Sequence, residues 1–191
     1  TINNIHRCIL ATLATLKIKY PSIKVHLPEN LYFITSQELL DMYPNLSSKE
    51  REYEITKEHK AVFIIGIGDK LSNGQAHDGR APDYDDWKLN GDLIYYHEVL
   101  DCALEISSMG IRVDADSLVY QLETSNHTDR MRYRYHQMIL NNELPYTIGG
   151  GIGQSRLCML LMGKAHIGEV QSSLWDEYTL KLAKENGIII L

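Results

Sequence analysis

A glycine-rich segment followed by an arginine is the first part of the sequence that could bind a ligand. Gly149, Gly150, Gly151 and Gly153 precede Arg156, and four glycines in a strand cost about 2–4 kcal/mol relative to alanine. A sheet tolerates this cost where something flat, such as an adenine or a ribose, lies directly on the backbone. Arg156 comes just inside the next helix, where its guanidinium and the helix N-terminus can face one anion. A glycine bulge followed by a surface arginine explains the spacing equally well.

A second segment, residues 104–114, places charged residues inside an otherwise strand-like pattern. Glu105 and Arg112 are seven positions apart, so on a regular strand they point to opposite faces. A break at Gly110 would bring them to the same face. Charged residues in a buried strand are usually paired or functional, although an edge strand with solvated charges remains an alternative.

A third segment contains four carboxylates within ten positions, from Asp83, Asp85, Asp86 and Asp92. Such a cluster can hold Mg²⁺ through oxygen ligands or bind an ammonium group. Carboxylates in a loop are more often simply solvated, and this interpretation is favoured when the segment is taken alone.

The elements that must position these residues follow from hydrophobic periodicity and capping signals. Strands and helices mix without strict alternation, which predicts an α+β fold with a largely antiparallel sheet. Capping boxes at Thr35/Glu38 and Ser47/Glu50 predict two helix starts. The predicted strands are 61–67, 92–96, 104–113 and 147–153, and the predicted helices are 5–20, 36–40, 48–60, 114–122, 128–140, 154–162 and 175–186.

Composition and charge limit the class of protein. The 191 residues have the length of one domain, and a net charge of −6 argues against an extended nucleic-acid surface. Every apolar run is too short to span a bilayer. Three cysteines without metal-like spacing are typical of the reducing cytoplasm. Cys8 and Cys158 fall in apolar helical patterns and are interpreted as packing residues.

The motifs together resemble the ammonia-dependent asparagine synthetases (aspartate–ammonia ligases), which are relatives of the class II aminoacyl-tRNA synthetases. The resemblance extends from about residue 27 to 175 and consists of long unbroken strings. They are 36–40, 61–63 with 66–68, 70–72, 77–78, 80–87, 89–92, 105 with 107–116, 147–157 and 166–168.

The resemblance implies an antiparallel sheet of six or seven strands flanked by helices. It also implies a two-step reaction in a cytoplasmic homodimer. ATP and aspartate would form a β-aspartyl-adenylate and pyrophosphate, with Mg²⁺ neutralising phosphate charge. Ammonia would then displace AMP to give asparagine. The alternatives are an aspartyl- or asparaginyl-tRNA synthetase core and a non-catalytic paralogue that binds nucleotide.

The resemblance also implies roles for individual residues. The ATP site would contain Arg156, which holds the phosphates, with Gly151 and Gly153 beneath the nucleotide. Asp92 and Glu105 fall at the ribose and the metal–phosphate position. The aspartate would be bound by Asp85, Ser108 and Arg112.

Two departures from the family pattern concern the extent of the chain. The family has an N-terminal portion that supplies a dimer strand, a second arginine and part of the pocket. It also has a longer loop where this chain has only Lys88. The resemblance therefore implies that residues 1–191 are the C-terminal part of a single catalytic domain, in a polypeptide larger than 21.9 kDa.

Overall fold

The computed structural model describes residues 1–191 and has an α+β architecture around one five-stranded sheet. Strand β1 is parallel to β2, and all other neighbours in the order β1-β2-β3-β4-β5 are antiparallel. The strands are β1 (Tyr32–Thr35), β2 (Ala61–Ile65), β3 (Asp85–His97), β4 (Cys102–Arg112) and β5 (Ile148–Ile152). The helices are α1 (Ile2–Lys19), α2 (Ser36–Met42), α3 (Ser48–His59), α4 (Ala115–Thr124), α5 (Arg134–Leu140), α6 (Gln154–Met162) and α7 (Glu177–Glu185), with 3-10 helices at Thr128–Arg132 and Ile167–Glu169.

The expected number of six or seven strands is wrong for these residues, because the sheet has five. Two long segments add no strand to it: residues 66–84 form a loop, and residues 113–147 contain α4 and α5. Strand β1 was not predicted. It is parallel to β2 because α2 and α3 connect the two strands and return the chain to the same end of the sheet.

Both predicted capping boxes are present. The Thr35 hydroxyl accepts a hydrogen bond from the Glu38 N–H, and the Glu38 carboxylate accepts one from the Thr35 N–H. Ser47 and Glu50 make the same pair of contacts at the start of α3. These local bonds satisfy backbone donors that a helix start otherwise leaves unpaired.

Each face of the sheet carries its own hydrophobic cluster, because successive strand residues point to opposite sides. On one face Leu93 and Tyr95 pack with residues of α1 and α6. On the other face Ile94 packs with Ile55 of α3 and Leu39 of α2. The two clusters fix the strand register on which the site geometry depends.

The helical pattern Ile5, Cys8, Ile9, Leu13 and Leu16 predicted the apolar face of α1, and Cys8 is the one member that does not pack against the core. His6, Ile9 and Leu13 are its buried residues. Cys8 is exposed, as is Cys158 on α6, so the interpretation of these cysteines as packing residues is wrong. The His6 ring is stable in the interior because its Nδ1 lies 2.6 Å from the Tyr95 hydroxyl.

Strand β3 begins at Asp85, seven residues earlier than predicted, so part of the acidic segment belongs to the sheet. It runs through Lys88, the position where the family pattern has a longer loop. No helix in the structure combines the length and the apolar character needed to cross a membrane.

Candidate functional site

A cleft of about 490 Å³ lies beside β4, β5 and the start of α6. Six of the eight predicted site residues line it: Asp85, Glu105, Ser108, Gly151, Gly153 and Arg156. The other two, Arg112 and Asp92, do not line the cleft but lie next to residues that do. Arg112 is ion-paired with Asp85, and Asp92 is the cross-strand partner of Ser108. The structure therefore brings the predicted residues together, while the role of each residue stays a prediction.

A bulge in β4 at Ile106 turns Glu105 towards the cleft. Leu93 of β3 is opposite Ser107, but the next residue, Ile94, is opposite Glu105, so Ile106 has no partner of its own. The extra residue reverses the alternation of side chains and places Glu105 on the same face as Ser108. A break of β4 at Gly110 was the alternative considered from the sequence; β4 pairs regularly with β5 there, and the register shift opposite it lies in β3 between Asp85 and Asn90.

Arg156 lies in the first turn of α6, and its guanidinium reaches back to β4. Its Nη1 is 3.2 Å from the Glu105 carbonyl oxygen and 3.6 Å from the Glu105 carboxylate. Burial and the neighbouring Asp92 carboxylate raise the pKa of Glu105, and Arg156 offsets part of this effect. Half of the Arg156 side chain, 51%, is exposed, so further donors of its guanidinium are accessible to an anion in the cleft.

The glycines at 149–153 do not share one function. A Cβ at Gly151 would meet no protein atom within 4 Å, and one at Gly153 would make only ordinary contacts at 3.6 Å. A Cβ at Gly150 would instead lie 2.6 Å from the Cβ of Met109, so this glycine is needed for strand packing. The surface above Gly151 is therefore open, and that a flat ligand lies on Gly151 and Gly153 stays a prediction.

Arg112 and Asp85 form an ion pair at one end of the cleft. Arg112 also donates a hydrogen bond from Nη2 to the Tyr84 hydroxyl at 2.8 Å, and its Cζ lies 3.7 Å from the centre of the Tyr84 ring. Burial raises the pKa of the Asp85 carboxyl, and the pairing with Arg112 offsets only part of that effect. This end of the cleft thus presents a carboxylate and an oriented guanidinium side by side.

Arg80 is the partner of the predicted site residue Asp92, and the sequence did not predict that pairing. Its Nη2 pairs with Oδ2 of Asp92, which is 3% exposed, whereas Oδ1 of Asp92 is buried without a hydrogen-bond partner. Arg80 lies in one of the matched strings, 80–87, but its spacing from Asp92 carries no local signal. Only the folding of loop 66–84 over β3 brings the two together.

A buried contact between His77 and Glu52, extended by the exposed Lys49, joins that loop to α3. Nε2 of His77 lies 3.0 Å from Oε1 of Glu52, and Nζ of Lys49 lies 3.0 Å from the same carboxylate. Lys49 is also 3.4 Å from Oδ2 of Asp78. These contacts hold the segment that carries Arg80.

The four acidic residues of the third segment neither gather at one point nor remain solvated. Asp83 accepts hydrogen bonds from Arg130 and His136, both at 3.0 Å, while Asp86 accepts one from the Lys88 N–H. Of the four, Asp85 lines the cleft, and Asp92 is the cross-strand partner of Ser108, which lines it. No three His, Cys, Asp or Glu side chains converge as a metal-binding group, so Mg²⁺ would need oxygen ligands from the substrate as well.

The five-stranded sheet, with the cleft beside β4 and β5 and helix α6 at its edge, has a class II aminoacyl-tRNA synthetase-like fold. The asparaginyl-tRNA synthetase of Entamoeba histolytica in complex with asparaginyl-adenylate aligns with a TM-score of 0.55 at 19% identity, over 87% of this chain and 39% of that chain. The aspartyl-tRNA synthetase of the same organism aligns with a TM-score of 0.58 at 15% identity, over 91% of this chain and 41% of that one. At such identities the likeness shows the fold alone.

The chain belongs to the aspartate–ammonia ligase family, whose model matches residues 1–187. It is 63% identical to the aspartate–ammonia ligase of Ligilactobacillus salivarius over 174 residues, which is 91% of this chain and 52% of that protein. It is 56% identical to the aspartate–ammonia ligase of Clostridium perfringens over 191 residues, which is 100% of this chain and 57% of that protein. The chain thus spans about half the length of the curated relatives it matches.

Proposed function

We propose that this protein joins ammonia to the β-carboxylate of L-aspartate in an ATP-dependent reaction that yields L-asparagine, AMP and pyrophosphate. One observation carries the proposal: Asp85, which is paired with Arg112, lines the same cleft as the Arg156–Glu105 pair and the open surface of Gly151. Membership of the aspartate–ammonia ligase family supports the same reaction.

The amino-acid end of the cleft fits a zwitterion with a second carboxylate. The Arg112 guanidinium suits a carboxylate through two parallel hydrogen bonds, and the Asp85 carboxylate suits the substrate ammonium group. Ser108, on the same strand as Arg112, adds a hydroxyl that can donate to or accept from the substrate. Aspartate matches this set of donors and acceptors.

The nucleotide end of the cleft fits ATP. The backbone at Gly151 is open to a flat group and Gly153 lies next to it, and Arg156 would present donors to the phosphate oxygens from the start of α6. Asp92 and Glu105 would serve the ribose and a bound Mg²⁺. The unpartnered Oδ1 of Asp92 fits a cation or a hydroxyl donor, and Mg²⁺ characteristically uses one or two carboxylates with substrate phosphates. When bound, the metal would neutralise phosphate charge.

The reaction would proceed in two balanced steps. A β-carboxylate oxygen of aspartate bonds to the α-phosphorus of ATP, and the bond from that phosphorus to pyrophosphate breaks. The nitrogen of ammonia then bonds to the acyl carbon, AMP leaves with the shared oxygen, and the nitrogen loses a proton to form the amide. Arg156 would stabilise the charge that grows on the phosphate oxygens as pyrophosphate leaves.

The assembly and location of the protein belong to the same proposal. We propose that residues 1–191 are part of a single catalytic domain that acts as a homodimer in the cytoplasm, without a nucleic-acid or membrane partner. The net charge of −6 supports the first of these exclusions. Sedimentation of the purified protein would measure the oligomeric state directly.

The test is aspartate-dependent ATP–pyrophosphate exchange with the purified full-length protein, followed by measurement of asparagine and AMP after addition of an ammonium salt. We expect both activities. Exchange followed by transfer of the amino acid to tRNA would indicate a tRNA synthetase core instead. Nucleotide binding without exchange would indicate a non-catalytic paralogue.

A further inference from the structure

We propose that Gly110 and Gly149 are positioning residues for binding of the amino acid, because the space above them is occupied by Asp85 and Arg112. The two glycines are cross-strand partners in β4 and β5. The inference deepens the proposed function and rests on it, since it concerns the residues that would bind aspartate.

The backbone does not explain why these positions are glycine. Gly110 and Gly149 are absent from the set of glycines with positive φ, which comprises Gly66, Gly68, Gly74, Gly163 and Gly187. An L-residue could therefore adopt the same backbone conformation, and glycine in a strand is less stable than alanine there. Glycine is therefore explained by the atoms that occupy the space where a Cβ would lie at these two positions.

The space above each glycine is filled by one member of the ion pair. A Cβ at Gly110 would lie 2.8 Å from Cγ of Asp85 and 2.9 Å from Cβ of Asn90. A Cβ at Gly149 would collide with Nη2 of Arg112 and lie 2.9 Å from its Cζ. Such separations are well inside van der Waals contact, so a methyl group at either position would displace a charged group.

The displacement would matter because the position of the Arg112 guanidinium is set by three contacts. It pairs with Asp85, donates to the Tyr84 hydroxyl and lies against the Tyr84 ring. A carboxylate is bound by the planar guanidinium through two parallel bonds, which depend on its orientation. A methyl group at Gly149 would tilt that plane while leaving the charge in place.

Gly151 provides the matched control. It lies two residues from Gly149 on the same strand, so its Cβ would point to the same face, yet it would meet no protein atom within 4 Å. Under the proposed function, Gly149→Ala should therefore affect aspartate and Gly151→Ala should affect ATP.

The first experiment measures KM for both substrates in the pyrophosphate-exchange assay of the full-length protein. We expect Gly149→Ala and Gly110→Ala to raise KM for aspartate by about tenfold or more, with KM for ATP within about twofold of the wild type. Gly151→Ala should raise KM for ATP and leave KM for aspartate unchanged. Equal effects of Gly149→Ala on both substrates, or no effect on aspartate, would overturn the proposal.

The second experiment needs no activity. Thermal unfolding is compared for the wild type, Gly149→Ala, Arg112→Ala and the double variant. We expect Gly149→Ala to lower the melting temperature in the wild-type background but not in the Arg112→Ala background, where the guanidinium is gone. An equal loss in both backgrounds would show that the methyl group collides with something else. If the wild type lacks aspartate-dependent exchange, the proposed function fails, whereas this cycle still tests the contact itself.

Discussion

The guanidinium of Arg156 on α6 lies 3.6 Å from the carboxylate of Glu105 on β4, across the mouth of the cleft. Both side chains are substantially exposed, at 51% and 38%. Exposed ion pairs contribute little to stability, commonly less than about 1 kcal/mol. Their proximity therefore matters more for what the cleft binds than for the free energy of unfolding.

Replacement of Arg156 should affect catalysis far more than folding. Arg156→Ala should slow aspartate-dependent ATP–pyrophosphate exchange by about a hundredfold or more, because a donor to the developing phosphate charge is lost. Arg156→Lys should restore little, since an ammonium group cannot reproduce the planar fork. The melting temperature should barely change. Arg134→Ala, at an exposed position on α5, is the control and should exchange normally. Normal exchange by Arg156→Ala would contradict the assignment.

Replacement of Glu105 by glutamine should stabilise the folded protein and lower its exchange activity. Burial and Asp92 raise the pKa of Glu105, so ionised Glu105 lowers the stability of the folded protein. This destabilisation is present at neutral pH and disappears at lower pH, where the carboxyl is protonated in both the folded and the unfolded protein. Glu105→Gln should raise the melting temperature slightly at pH 7 and by less at pH 4, because the side chain is 38% exposed and solvent screens much of the effect. Exchange activity should fall. Glu123→Gln, at an exposed position, should change neither; a fall in melting temperature for Glu105→Gln would refute this account.

The contacts of Asp83 should give stability that depends on pH. Burial alone would raise the pKa of this carboxyl, but the bonds from His136 and Arg130 hold it below its ordinary value. Its contribution is therefore present at neutral pH and lost as the pH falls below about 4. Asp83→Asn should lower the free energy of unfolding by about 1–3 kcal/mol at pH 7, and the difference from the wild type should shrink in acid. Denaturant titrations measure this, with the exposed Asp129→Asn as control. A difference that is independent of pH would exclude the carboxylate as its source.

The nitrogen source should be free ammonia. Amide transfer from glutamine requires an activated cysteine nucleophile, and burial together with Asp101 raises the pKa of the Cys102 thiol. A variant with serine at Cys8, Cys102 and Cys158 should retain ammonium-dependent asparagine formation within about threefold. Liquid chromatography would measure the asparagine and the AMP that are formed. Activity with glutamine but not with ammonium salts, or release of ADP instead of AMP, would contradict the prediction.

Several features of the protein could be read from the sequence because their causes are local. The capping boxes at Thr35 and Ser47 depend on residues three positions apart, and both are present. The apolar run at residues 61–67 predicted a buried interior strand, and β2 is that strand, although it ends at Ile65. The long strings shared with the aspartate–ammonia ligases identified the family, and they named Arg156, Glu105 and Gly151, which line one cleft.

Other features depend on contacts between residues far apart in the chain, and only the tertiary structure decides them. His6 is buried in place of Cys8 because Tyr95, 89 positions away, provides its hydrogen bond. Glu105 turns into the cleft through a bulge at Ile106 that exists only in the register between β3 and β4.

Contacts with distant segments also give the glycines of β5 different surroundings. Their shared residue type predicted one function, an open surface for a flat ligand, and of these glycines only Gly151 has no protein atom above it. Gly149 lies instead against Arg112, and Arg80 pairs with Asp92 after loop 66–84 folds back over β3. A strand pattern specifies which face a residue points to, whereas the atom that meets it there is determined by how distant segments pack.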